Sequence, residues 1–224
     1  GAGAANGAER ALEEALRQSG LNREDIDAVV TTGYGRTAIS DGDKSITEIT
    51  CHARGAHFLD SSVRTVVDIG GQDSKVIRLN DDGSVKNFVM NDKCAAGTGR
   101  FLEMMAKTME MSLDELSKVG LSYQEDITIS SMCTVFAESE VVSLIAQNKA
   151  TDDIVHGLNK AVAAKTASLV KRVGGEEAYM MTGGVAQNQG LVRTLEERLG
   201  TKLVISDKSQ LCGALGAALF AAEM

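Results

Sequence analysis

The sequence predicts an α/β fold, and three observations lead to it. Two apolar stretches, at residues 65–69 and 178–181, each run into a turn with a glycine pair, the first before another strand and the second before a helical pattern. Three short strands separated by turn residues read as a β-meander over residues 65–90. A unit of helix, glycine break, apolar strand and Thr-Gly turn occurs twice, as ALEEALRQSGLNREDIDAVVTTGYG and as AVAAKTASLVKRVGGEEAYMMTGGV.

In chain order, residues 8–19 form a helix with Ala11, Leu12, Ala15 and Leu16 on one stripe and Gly20 as its stop. The run IDAVVTT, residues 26–32, reads as a buried strand leading into Gly33-Tyr34-Gly35. Residues 65–69, 75–79 and 85–90 are the meander strands, the last two joined by Asp81-Asp82-Gly83-Ser84, in which Asp-Gly tolerates positive φ. Helices are expected over residues 96–111, 134–147 and 153–172. A strand at 178–181, a helix reaching residue 199, a strand at 202–205 and a small-residue helix from Gly213 complete the pattern.

At 224 residues, the chain suits one large domain or two small ones. Its net charge of −8, with no run of five or more Lys and Arg, argues against a nucleic-acid partner. The longest nearly apolar stretch, residues 214–222, is too short to span a bilayer, and the opening GAGAANGAER has no signal-peptide pattern. A cytoplasmic location without membrane attachment is expected. Four widely spaced cysteines in an acidic chain argue against a disulfide framework and leave metal binding, catalysis or burial.

Three strings carry chemistry. In Asp68-Ile69-Gly70-Gly71-Gln72-Asp73-Ser74-Lys75 an aspartate ends a buried strand before two glycines. Bare glycines let backbone N–H groups approach phosphate oxygens, and an aspartate there holds Mg²⁺ directly or through water. The same pattern also describes a tight hairpin. Thr182-Gly183-Gly184-Val185-Ala186-Gln187-Asn188 ends a strand before a helix, which suits a nucleotide or merely a tight strand–helix turn. Cys94 and Cys133 each read as preceding a helix, whose free N–H groups and dipole stabilise negative charge. Thiolates so placed bind soft metals or iron–sulfur clusters, and two per chain would become four in a twofold dimer. Two buried structural thiols remain the other reading. Cys51 and Cys212 read as core thiols, and His52, His57 and His156 as surface or satisfied core residues.

Taken together, DIGGQDSK, NDKCAAGTGRF, SSMCTVFAESEV, MTGGVAQN and GALGAAL resemble the activator ATPases of 2-hydroxyacyl-CoA dehydratases, a family similar to the benzoyl-CoA reductase ATPase subunits. The likeness runs over the whole chain. It implies an actin-like ATPase fold of two similar ribonuclease-H-like lobes with ATP or ADP and Mg²⁺ between them. Nucleotide contacts are then expected from Gly70, Gly71, Gln72, Lys75, Gly183, Gly184, Val185, Gln187 and Asn188. Asp68 is expected near the metal, and Asp68 and Gln72 take the catalytic roles. Where related sugar kinases carry a carboxylate base, Gln72 offers an amide that cannot accept a proton, which suits slow hydrolysis tied to a switch. The resemblance further implies a homodimer sharing one [4Fe-4S] cluster on Cys94 and Cys133 of each chain. A ferredoxin or flavodoxin would be the electron source, and the dehydratase the recipient. The family opens with a strand and a D-x-G-S-T phosphate loop that nothing here matches, so the first lobe is expected to lack its N-terminal β-meander. That lobe would comprise residues 1–64 with the C-terminal helix 208–224, and the second lobe residues 65–207. A benzoyl-CoA reductase type ATPase subunit, a cluster-free kinase of the same fold and a non-enzymatic scaffold are the rival readings.

Overall fold

The computed structural model describes residues 3–40, 42–130 and 133–224. In chain order the regular elements are α1 (Ala4–Ser19), β1 (Val30–Thr31), β2 (Lys44–Ser45), α2 (Glu48–Leu59), β3 (Thr65–Ile69), β4 (Ser74–Leu79), β5 (Val85–Asn91) and α3 (Gly99–Thr108). They continue with α4 (Leu113–Val119), α5 (Thr134–Ala146), α6 (Thr151–Val173), β6 (Tyr179–Thr182), α7 (Gln189–Leu199), β7 (Leu203–Val204) and α8 (Cys212–Ala221). The chain divides into two compact units, Gly1–Ser61 with Leu211–Met224, and Ser62–Gln210.

In the first unit, Gly20 closes α1 in the left-handed conformation, as its position after the last apolar residue predicts. The expected seven-residue strand is much shorter. Among the described residues its only ladder partner is β2, which pairs in parallel at Val30↔Lys44 and Thr31↔Ser45. The polar run before it forms a 3-10 turn at Arg23–Asp25, closed by Asn22 and Asp25 capping each other. Helices α2 and α8 pack through small residues. A side chain at Gly55 would overlap the Cys212 carbonyl, and one at Gly216 the Cys51 carbonyl, so the approach requires glycine. Cys51 and Cys212 are fully buried at this contact, and Cys212 Sγ donates to the His52 carbonyl at 3.6 Å. Burial pushes the Cys51 thiol up from its ordinary pKa.

The second unit is built on a five-stranded mixed sheet in the order β5-β4-β3-β6-β7. β3, β4 and β5 form the antiparallel meander, while β6 and β7 join in parallel. At the hairpin, Gly83 takes φ +80° and Asp82 Oδ1 accepts the Ser84 N–H at 2.9 Å. Across the central strands Val67, Val76 and Met181 lie in one register row, and Val66, Ile77 and Met180 in the next. All six are fully buried, so both faces are covered and the strands read as continuous apolar runs. The first row belongs to the main core with Phe101, Leu102, Met105, Leu158 and Leu191. At ~25 cal/mol per Å² of apolar area, this burial is the main stabilising term of the unit.

In this unit the largest departures from expectation are the start of one helix and the presence of another. Helix α3 begins at Gly99, not at residue 96, because Gly97 takes φ +85° and Thr98 is the N-cap. Helix α4 was not anticipated. Its signal is the capping box at Ser112 and Glu115: the Ser112 hydroxyl accepts the Glu115 N–H at 3.2 Å, and Glu115 Oε2 accepts the Ser112 N–H at 2.7 Å.

Candidate nucleotide cleft and cysteine pair

Parallel pairing of β3 with β6 places Asp68 opposite Thr182, so both strands leave the sheet at the same edge. The glycine pairs that follow are therefore neighbours. The Thr182 hydroxyl donates to Asp68 Oδ1 at 2.9 Å. Lys75, opposite Asp68 on β4, brings Nζ to 3.0 Å from Asp68 Oδ2 and 2.7 Å from Asp73 Oδ2. All four residues are at most 5 % exposed. Burial opposes the Lys75 charge, but the two carboxylates outweigh it and hold its pKa above the ordinary lysine value.

The turn after β3 is tied down by backbone bonds. Gly70 N–H donates to the Asp73 carbonyl at 3.0 Å, while the first amides of α3, those of Gly99 and Arg100, donate to the Gly70 and Gly71 carbonyls at 2.8 and 2.9 Å. Glycine suits position 99 in this docking, since a Cβ there would stand 3.1 Å from Gly71 Cα, closer than an ordinary contact. On the other loop, Gly183 takes φ +85°, and a side chain would overlap the Ile69 carbonyl. A Cβ at Gly184, by contrast, would come no nearer than 3.8 Å to Gln210 Nε2.

A cleft of about 560 Å³ opens beside these loops, within the usual size range of ligand sites. Of the residues expected to bind nucleotide, Gly71, Gly184, Val185, Gln187 and Asn188 line it. Asn188 also caps α7, accepting the Leu191 N–H at 2.9 Å, and Gln187 donates to Gln210 Oε1 at 3.1 Å. The other expected residues are placed differently. Gly70 spends its amide within the turn, Gln72 is exposed, Gly183 packs against β3, and Asp68 and Lys75 are buried in the ion network. The cleft adds Gly99, Leu102 and Glu103 from α3, and Leu113, Asp114 and Ser117 from α4. The α4 residues were missed with the helix that carries them.

Cys133 is the N-cap of α5, as expected, and is exposed. Cys94 is also exposed, but it does not cap a helix: the caps and turns of residues 94–98 separate it from α3. That segment is held by Asn91, whose amide donates to the Cys94 and Ala96 carbonyls at 2.9 and 3.1 Å, and by Thr98, whose hydroxyl donates to the Ala95 carbonyl at 2.7 Å. Ser131 and Met132 of the SSMC string lie outside the described residues. Among the described residues no three His, Cys, Asp or Glu side chains converge as a metal site, and no helix is long and apolar enough to cross a membrane.

In open α/β sheets, ligands bind outside the carboxyl ends of the strands, and this cleft stands there. Fold and site together define an α/β nucleotide-binding protein. The chain belongs to the BadF/BadG/BcrA/BcrD ATPase family, whose model matches residues 2–221. It is 51% identical over 215 residues to the 2-hydroxyisocaproyl-CoA dehydratase activator of Clostridioides difficile, covering 96% of this chain and 81% of that protein. The solved structure of the activator of the 2-hydroxyisocaproyl-CoA dehydratase from Clostridium difficile with bound ADPNP matches at TM-score 0.95 and 50% identity, covering 99% of this chain and 82% of that one. The (R)-2-hydroxyglutaryl-CoA dehydratase component A of Acidaminococcus fermentans matches at TM-score 0.96 and 45% identity, over 100% of this chain and 86% of that one. The fold is thus the α/β fold of these activator ATPases, the family that the resemblance named.

Proposed function

We propose that this chain is an ATP-driven activator of a 2-hydroxyacyl-CoA dehydratase. The observation that carries the reading is the cleft floored by Gly71 and Gly184, at the shared edge of β3 and β6, in a chain so similar to an activator that binds ADPNP. Gly71 and Gly184 present no side chain to the cleft, so the backbone can lie close to phosphate oxygens. Asp68, a buried carboxylate beside the glycine turn that ends β3, is the group placed to hold Mg²⁺ directly or through water. Gln72 orients water without taking its proton. Residues 1–64 with 208–224 then correspond to the first actin-like lobe, and residues 65–207 to the second.

Cys94 and Cys133 fit half of a four-thiolate site, and a second copy of the chain supplies the other half. The [4Fe-4S] cluster they would hold supplies one-electron transfer. Cys133 contributes the amides of the first turn of α5, and small residues beside Cys94 leave space around the thiol. A ferredoxin or flavodoxin in the cytoplasm is the electron source, and the dehydratase component the recipient. The test is anaerobic purification with assays of bound iron, Mg²⁺-dependent ATP hydrolysis and activation of a 2-hydroxyacyl-CoA dehydratase. Iron and ATP-dependent activation together support the reading. Hydrolysis with neither iron nor activation replaces it with the cluster-free kinase alternative.

A further inference from the structure

We propose that Lys75 is a positioning residue that holds the turn at residues 70–72 and the loop at residues 182–184 together as one nucleotide-binding surface. The inference rests on the cleft being the nucleotide site, and it reassigns Lys75 from ligand contact to internal counter-ion. Three observations carry it. First, Lys75 is 4 % exposed and does not line the cleft, and its ammonium is directed to Asp68 and Asp73 at 3.0 and 2.7 Å. A lysine that grips phosphate presents its ammonium to the ligand; this one is enclosed.

Second, its two partners bracket the glycine turn. Asp68 precedes Gly70 and Asp73 follows Gln72, and Gly70 N–H bonds to the Asp73 carbonyl at 3.0 Å. One ammonium therefore sets the separation of both ends of the turn. Third, Asp68 is shared with the other loop. Its Oδ1 accepts the Thr182 hydroxyl at 2.9 Å, and the same oxygen stands 2.9 Å from where a Cβ of Gly183 would be. The position of Asp68 thus fixes the entry to Gly184. Without the lysine, two desolvated carboxylates face each other with no cation between them, and the turn must open to let water in.

The test compares Lys75→Met with the double variant Lys75→Met/Asp73→Asn, which removes one positive and one negative charge together. Amide hydrogen exchange is followed without nucleotide, and the affinity for Mg²⁺·ADP is measured on the same proteins. Lys75→Met is expected to speed exchange in the segments containing residues 70–72 and 182–184 but not in α6. Its Mg²⁺·ADP affinity should fall by roughly 10–100-fold, the usual effect of losing a supporting partner behind a site. The double variant should regain most of both, and it decides the question if the single variant does not fold. Unchanged exchange at residues 182–184 in Lys75→Met overturns the proposal. So does a double variant with protection restored but Mg²⁺·ADP binding lost, since the ammonium must then touch phosphate. If the unaltered protein binds no Mg²⁺·ADP, the nucleotide reading fails while the exchange measurements still decide the role of Lys75.

Discussion

Gly183 and Gly184 are adjacent, yet a side chain fails at each for a different reason. At Gly183 the obstacle is internal, since φ is +85° and the Ile69 carbonyl occupies the space of a Cβ. Gly183→Ala is expected to lower stability by about 1–3 kcal/mol, the cost of a strained backbone position, read as a fall in melting temperature. At Gly184 the space is open toward the cleft. Gly184→Val should therefore keep the melting temperature of the free protein and abolish ADP binding; unchanged affinity would remove Gly184 from the site. His156 offers a pH readout. It is buried, its ring stacks on Tyr123 at 3.4 Å, and its Nε2 lies 3.7 Å from Asp126 Oδ1. Burial lowers its pKa below the ordinary 6.5, against the opposing pull of Asp126. The folded state thus binds the proton less well than the unfolded state. The stability His156 contributes is whole above the unfolded value and is lost as pH falls through the lower folded value. Unfolding by urea across this range should show a slope that His156→Gln reduces.

Among the elements, α4 shows how local chemistry shapes the cleft. Its seven residues give the cleft Leu113, Asp114 and Ser117, and its start depends on the Ser112–Glu115 capping box. Ser112→Ala is expected to cost about 1 kcal/mol and to weaken ADP binding modestly, with the strand-end loops unaffected. Titration calorimetry beside thermal unfolding separates the two effects. The capping pattern is legible in the sequence, but a seven-residue helix presents barely two turns of apolar periodicity to accompany it. The meander was legible for the opposite reason: Asp82-Gly83 and the glycines after Ile69 mark both turns, and burial on both faces makes the strands uniformly apolar. The start of α3 is not legible, because Ala95 and Ala96 favour helix, while Gly97 at positive φ and the docking of Gly99 on Gly70 end that possibility. The Lys75 network could not be read at all. Its carboxylates are recognisable in the string, but their separation depends on the register of β3 against β4.

At the scale of the whole molecule, the exposed thiols and the buried ones make opposite predictions. Cys94→Ala and Cys133→Ala, made singly, should each lose iron and weaken the dimer, by iron analysis and sedimentation under anaerobic conditions. Cys51→Ala and Cys212→Ala, whose thiols are buried at the α2–α8 contact, should retain both. A full iron complement in either of the first pair ends the shared-cluster assignment.

The glycine-mediated contact of α2 with α8 has a bearing on how the chain is made. His52 and Cys212 meet across a sequence separation of 160 residues, whereas every strand of the five-stranded sheet lies between Thr65 and Val204. A ribosome delivers residues in order, so the sheet can assemble while α2 still lacks the helix that covers its small-residue face. Closing a loop of that length is slow compared with forming neighbouring hairpins. Stalled nascent chains ending before Cys212 should therefore show protease resistance in the segment containing the sheet, with α2 still open to cleavage.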